Sequence, residues 1–273
     1  MAADPIKRRI LQEMAERPLA VGYGREYRVT SGGREALFVG FVVERWLQNA
    51  PLGPVPYDSP EGERAVAALA ESWSATVVHA LAREPMTLAE LDGAVEGSKR
   101  RTLTRHLKAM QDAGQVAALP DDGGGGDSIY ALTDWMRAGI APLIASARIE
   151  RREPKEGMAP IDDLDVEAGF RLSLPLISMP KELSGTCRLG VNLDEEEKSP
   201  MTGVTAQIDR GQVVSCETGL DPTADAWVAG SADDWLDTLI EPDADGVQAG
   251  GDRRLARALL DGLHETLFGV PVG

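Results

Sequence analysis

Six residues between positions 99 and 108 carry the clearest recognition chemistry in this chain: Lys99, Arg100, Arg101, Thr104, Arg105 and Lys108. The eleven residues from Ser98 to Lys108 hold five cations and no acid. Arg101, Arg105 and Lys108 recur at i, i+4, i+7, which is one face of a helix. Leu103, Leu107 and Met110 have the same spacing on another face and form an apolar back. A short helix of this kind fits the DNA major groove, where guanidinium groups meet guanine edges in pairs and ammonium groups meet phosphate. Arg101 and Arg105 are therefore expected at base edges. Lys99, Arg100 and Lys108 are expected at phosphates, with Thr104 beside them. His106 lies on the same helix, and both DNA contact and packing at the edge of the helix bundle are open to it.

No catalytic constellation accompanies these residues. The three histidines, His79, His106 and His264, fall in separate expected helices. The sequence contains no G-x-S-x-G, P-loop, dinucleotide fingerprint or H-E-x-x-H. Four glycines at 123–126 lack a following Lys-Ser/Thr and sit in a hairpin tip. Glu195-Glu196-Glu197 reads as a solvated acidic turn. Cys187 and Cys216 match no metal spacing, and no base stands near Cys216 to activate it. The expectation is a binding protein rather than an enzyme, with no cofactor and no metal.

The cationic face must be held by its neighbours. T-L-A-E-L-D-G-A-V at 87–95 reads as a preceding helix, followed by a tight turn. Ser98 is placed to cap the next helix and Gly114 to end it. Q-V-A-A-L-P and S-I-Y-A-L-T then make a hairpin, and Thr133-Asp134 caps a helix from Trp135 to about Arg152. The segment from about Trp73 to Arg152 resembles the winged helix-turn-helix regulators of the HxlR type. The matching residues are Trp73, Leu81, the Leu88/Leu91 helix, R-R-T-L-T-R-H-L, Ala113-Gly114 and Tyr130-Ala-Leu-Thr133. The wing departs from that pattern: Asp121, Asp122 and Asp127 stand where a phosphate-gripping wing offers Arg or Lys. The resemblance implies double-stranded DNA as partner and a homodimer built from the terminal helices. An upstream half-repeat can instead supply that partner from within the chain.

That half-repeat is residues 1–50. K-R-R-I-L near residue 7 parallels K-R-R-T-L near residue 99, and Y-R-V-T at 27–30 parallels Y-A-L-T at 130–133. A helix is expected from Asp4-Pro5 to about Glu16, a hairpin from Leu19 to Thr30, and a long helix after it. Lys7-Arg8-Arg9 also reads as a plain solvated basic N-terminus. Residues 51–60, P-L-G-P-V-P-Y-D-S-P, form a proline-rich spacer. Residues 61–153 are expected to form the complete winged helix.

The remainder, residues 160–273, differs in charge. Residues 1–60 carry 8 basic and 7 acidic side chains, residues 61–153 carry 11 and 14, and residues 154–273 carry 9 and 23. The net charge of −16 thus arises almost wholly in the C-terminal part, which is unsuited to nucleic acid. Here Asp165–Met179 reads as a helix kinked at Pro175, and S-G-T-C-R-L-G-V-N-L as a strand. V-T-A-Q-I-D-R-G-Q-V-V-S-C-E alternates around Asp209-Arg-Gly211, a hairpin signal. A-W-V-A-G-S leads to a helix from Ala232 to Ile240, capped by Ser231, and the last helix spans Arg253 to Phe268. From about Ser184 to Gly269 this order is similar to the sterol-carrier-protein fold, on A-W-V-A-G-S plus its helix and G-G-D-R-R-L-A-R-A-L-L. The resemblance implies a cavity for a small apolar ligand, with Val204, Ala206, Val213, Trp227, Trp235, Leu239 and Leu259 as candidate walls. The same residues also read as ordinary core.

The expected fold class is α+β: a partial and a complete winged helix, then an α+β sterol-carrier-like unit. No apolar run reaches membrane-spanning length, so a soluble, cytoplasmic protein is expected. Three functions fit: a ligand-responsive transcriptional regulator; a sequestering or self-resistance protein using winged helices as a dimerisation scaffold; and a protein-interaction adaptor.

Overall fold

The computed structural model describes residues 20–23, 26–70, 72–95, 100–119, 128–152, 161–193, 201–241 and 246–269. The chain is a mixed α+β protein. The expected helix at 4–16, the Ser98 cap, Lys99, the acidic hairpin tip at 120–127 and the acidic turn at 194–198 lie outside the described residues.

The hairpin β1 (Ala20–Tyr23) and β2 (Glu26–Val29) leads into α1 (Ser31–Gln48), whose N-terminus is capped by the Thr30 hydroxyl accepting from Gly33 N at 3.1 Å. Residues 51–59 of the proline-rich stretch contain neither helix nor strand, and Pro60 opens α2 (Pro60–Ala70). Then come α3 (Ser72–Arg83), β3 (Met86–Thr87), α4 (Leu88–Ala94), α5 (Arg100–Asp112), β4 (Val116–Leu119) and β5 (Ile129–Leu132). A full capping box starts α4: Thr87 accepts from Glu90 N, and Glu90 accepts from Thr87 N at 2.7 Å. Gly114 ends α5 at φ +74, a conformation that suits glycine.

Two departures from the sequence expectation occur here. Met86-Thr87 pairs with β5, so the expected hairpin is part of a three-stranded antiparallel sheet in the order β3-β5-β4. The single helix expected after Thr133 is two, α6 (Asp134–Ala138) and α7 (Ile140–Arg152). They part at Gly139, where a Cβ would stand 2.8 Å from a Leu69 methyl, and Pro142 in the first turn of α7 has no N–H to donate back to Ala138.

The C-terminal part opens with α8 (Asp163–Ser173), started by an Asp162/Asp165 capping box. Pro175 lies in the 3-10 turn Leu174–Leu176 that ends it, after which the chain runs extended: a stop rather than a kink. The mixed sheet follows: β6 (Gly185–Asn192), β7 (Thr202–Asp209), β8 (Gln212–Thr218), β9 (Ala226–Ser231), α9 (Ala232–Ile240), β10 (Gln248–Gly251) and α10 (Arg253–Leu267). Its order is β10-β9-β6-β7-β8; only β6 and β9 run parallel. Arg210 (φ +47) and Gly211 (φ +75) turn β7 into β8, as the Asp209-Arg-Gly211 pattern predicts. On one face of this sheet, register sets Ala226, Cys187, Ala206 and Cys216 side by side, and Val228, Leu189, Val204 and Thr218 in the next row. The helices α8, α9 and α10 cover that face. Buried apolar residues of α3 to α5 and of this sheet belong to one continuous core.

Candidate nucleic-acid interface and apolar core

Helix α5 is held by its apolar back. Leu103, Leu107 and Met110 are all at most 2% exposed and pack in the core with Leu81, Leu91, Val116 and Leu132. With those three positions inward, helical geometry turns the other face outward. Arg100, Arg101, Thr104, Arg105 and Lys108 are exposed. Arg100, Arg101 and Arg105 have no carboxylate partner among the described residues. Lys108 lies 3.5 Å from Asp112 on the next turn, a loose and solvated pair. The Thr104 hydroxyl donates to the Arg100 carbonyl at 2.9 Å and is engaged with its own helix. His106 is half-buried. The six candidates thus divide into five that share one exposed face and Lys99, which lies outside the described residues.

The register of α5 is passed to the rest of the chain at Gly114. The Thr133 hydroxyl donates to the Gly114 carbonyl at 2.8 Å and also accepts from Met136 N at 3.2 Å, so one side chain joins the end of α5 to the start of α6. Behind this joint, Trp135 and Trp46 stack with ring centroids 4.7 Å apart and planes 6° from parallel. Each indole N–H donates to the other residue's carbonyl at 2.8 Å. Helix α1 packs along α7.

Six of the seven candidate wall residues come together on the helix-covered face of the large sheet. Val204, Ala206 and Leu259 are fully buried, Trp235 and Leu239 nearly so, and Val213 packs against them at the β8 edge. The Trp235 indole donates to the Gly190 carbonyl at 2.8 Å and meets Phe170 edge-on at 5.1 Å. Trp227 is not with them. It lies between the inward-facing Ala226 and Val228, so strand alternation puts it on the other face, over Gly250, where a Cβ would approach its ring to 2.5 Å. Of the two thiols, burial pushes Cys187 up to about 12 and Cys216 up to about 11, so neither is a thiolate nucleophile at neutral pH.

Two polar seams tie the C-terminal part to the preceding helices, and sequence reasoning missed both. At the end of α3, Arg83 lies 3.2 Å from Glu167, which also pairs with Arg171 at 2.9 Å and accepts from the Thr218 hydroxyl at 2.7 Å. At the end of α7, the Arg148 guanidinium meets Asp237 at 2.6 Å and also binds Glu241. Arg151 binds Asp233, and Arg152 meets Glu35 at 2.6 Å and Asp237 at 2.9 Å. The signal for the second seam was present as Asp233, Asp237 and Glu241 at i, i+4, i+8. A sequence read alone explains such arginines equally well by the helix dipole.

Among the described residues no helix is long and apolar enough to cross a membrane, and no group of three or more His, Cys, Asp or Glu is placed to hold a metal. No known family and no curated protein matches the sequence. Among solved structures, the chain is similar to sterol carrier protein 2 like 2 from Aedes aegypti. That match has 17% identity over 44% of this chain and 95% of that chain, with a TM-score of 0.24.

Proposed function

We propose that this chain is a ligand-responsive DNA-binding regulator and not an enzyme. In this reading residues 61–153 form a winged helix-turn-helix of the HxlR type whose α5 enters the major groove. Residues 1–50 are a partial second copy, residues 51–60 a spacer, and residues 160–273 a sterol-carrier-like unit that takes a small apolar molecule. The observation that carries the reading is α5 itself: a helix with its apolar back buried and Arg100, Arg101, Arg105 and Lys108 exposed on its front. The packing of α1 on α7 supports an internal partner for α7 in place of a second chain.

The test is fluorescence anisotropy of the full chain on labelled duplexes from around its own gene, across a salt series, with a random duplex as control. Specific binding is expected, at least about a hundredfold over the control. Arg101→Ala with Arg105→Ala should abolish the specificity. Arg100→Ala with Lys108→Ala should leave specificity but reduce the slope of log K against log salt by about 1.8, since each phosphate contact contributes about 0.9. Salt-insensitive or absent binding by folded protein overturns the regulator and favours the sequestering reading, in which the apolar ligand binds regardless of these arginines.

A further inference from the structure

The apolar core under the large sheet is closed: Val204, Ala206 and Leu259 have no exposure. A molecule reaches them only when one of the three covering helices moves. Helix α8 is fastened to β8 by Arg171 and Glu167, both bonded to the Thr218 hydroxyl. Helix α10 buries Leu255, Leu259 and Leu263 along its length and is capped by Asp252. Helix α9 has only nine residues. Its inner face holds Trp235 and Leu239; one buried side-chain bond, from the Trp235 indole to the Gly190 carbonyl at 2.8 Å, ties it to β6, and His264 Nδ1 lies 2.9 Å from the Leu239 carbonyl. Its outer face holds Asp233, Asp237 and Glu241, which bind not the sheet but the arginines of α7.

The two sides of that outer contact are unequal. The Asp237 and Glu241 side chains are 38% and 62% exposed, so water can replace their partner. The Arg148 side chain is 10% exposed, and both of its carboxylate partners come from the α9 side. If α9 swings away alone, Arg148 loses both of its carboxylate partners at once, which opposes the separation. Movement of α9 is thereby coupled to α7. From α7 the chain leads back through α6 to Thr133, which grips the end of α5 at Gly114.

We propose that α9 is a movable wall of the apolar core and that Arg148, with Asp237 and Glu241, is the latch coupling that wall to α7 and so to α5. This rests on the reading above that the core takes an apolar ligand and that α5 binds DNA. The latch is reciprocal: a ligand that displaces α9 shifts α7, and whatever holds α7 in place opposes the ligand.

The experiment compares wild type with Arg148→Met, which keeps the bulk of the side chain and removes its charge. Asp237→Asn is a second variant that leaves Arg148 in place. The first readout is hydrogen exchange, which needs neither ligand nor DNA. Amides of residues 232–240 and 140–152 should exchange about tenfold faster in both variants, while β6 and β7 stay protected. The second is cis-parinaric acid, a fluorescent fatty acid, titrated alone and with the DNA duplex. It should bind Arg148→Met at least about fivefold more tightly than wild type. Saturating fatty acid should change the DNA affinity of wild type about fivefold or more, and that of Arg148→Met not at all. Unchanged exchange in α7 and α9 overturns the latch, as does a fatty-acid effect on DNA that survives Arg148→Met. Absence of fatty-acid or DNA binding by wild type, with exchange altered as expected, supports the latch and overturns the functional reading instead.

Discussion

The stacked pair Trp46–Trp135 should behave as one energetic unit that fastens α1 to the start of α6. The perturbation is Trp46→Phe, Trp135→Phe and the double variant. Both indoles are buried, at 4% and 7% exposure, and each donates a 2.8 Å hydrogen bond to the other residue's carbonyl. Phenylalanine keeps an aromatic ring but loses that donor, a net loss of about 1 kcal/mol. The smaller ring leaves a void between α1, α2 and α6, adding about 1–2 kcal/mol. Each single variant is thus expected to lose about 2–3 kcal/mol. At 4.7 Å and 6° the rings also interact directly, and a pair of this kind contributes about 0.5–1.5 kcal/mol beyond burial. The double variant should therefore lose less than the sum of the singles by about that amount. The assay is urea unfolding followed by circular dichroism, compared at equal m-values. Strict additivity would refute the reasoning: the two tryptophans would then stabilise separate elements, and α1 would not be joined to α6 through them.

Two further outcomes follow from the buried titratable groups. Burial alone would raise the Glu167 carboxyl, but the Thr218 hydroxyl and the guanidinium groups of Arg83 and Arg171 outweigh it and hold it below its ordinary value of 4.5. A depressed folded-state pKa contributes stability above the unfolded value and loses it as pH falls through the folded one. Glu167→Gln should accordingly flatten the acid limb of a plot of urea midpoint against pH below about 4.5, and an unaltered limb would show that the seam contributes nothing there. Cys187 and Cys216, raised to about 12 and about 11, should resist iodoacetamide at neutral pH in the native protein and react after unfolding. Rapid labelling of either in the native state would contradict their burial.

Local order in this chain was legible because it depends on short spacings. The apolar stripe Leu103, Leu107, Met110 and the cationic stripe Arg101, Arg105, Lys108 both follow the helical period, and the structure buries one and exposes the other. The Thr133 and Ser231 hydroxyls cap helix starts, Gly114 ends a helix because it has no Cβ to oppose a positive φ, and Asp209-Arg-Gly211 turns a hairpin. What could not be read is whatever depends on residues far apart in sequence. Met86-Thr87 is a strand only because β5 is there to pair with it, and two residues carry no period of their own. The break at Gly139 between Trp135 and Arg152 is a different case: its cause is local, since Pro142 has no N–H to donate back to Ala138, and it went unread.

The apolar residues of the sheet illustrate the limit most directly. Alternation along A-W-V-A-G-S assigns Trp227 and Val228 to opposite faces but does not say which face is covered. The helices over Val228 decide it, and so leave Trp227 outside the core its size suggested. By itself, then, the sequence determined the helix faces, the caps, the turns and the acidic character of the C-terminal part. These are set by interactions over a few residues. Only the tertiary structure decided which of the many acids meet Arg148, Arg151 and Arg152, because an ion pair across 82 to 93 residues depends on where the whole chain brings α7 and α9.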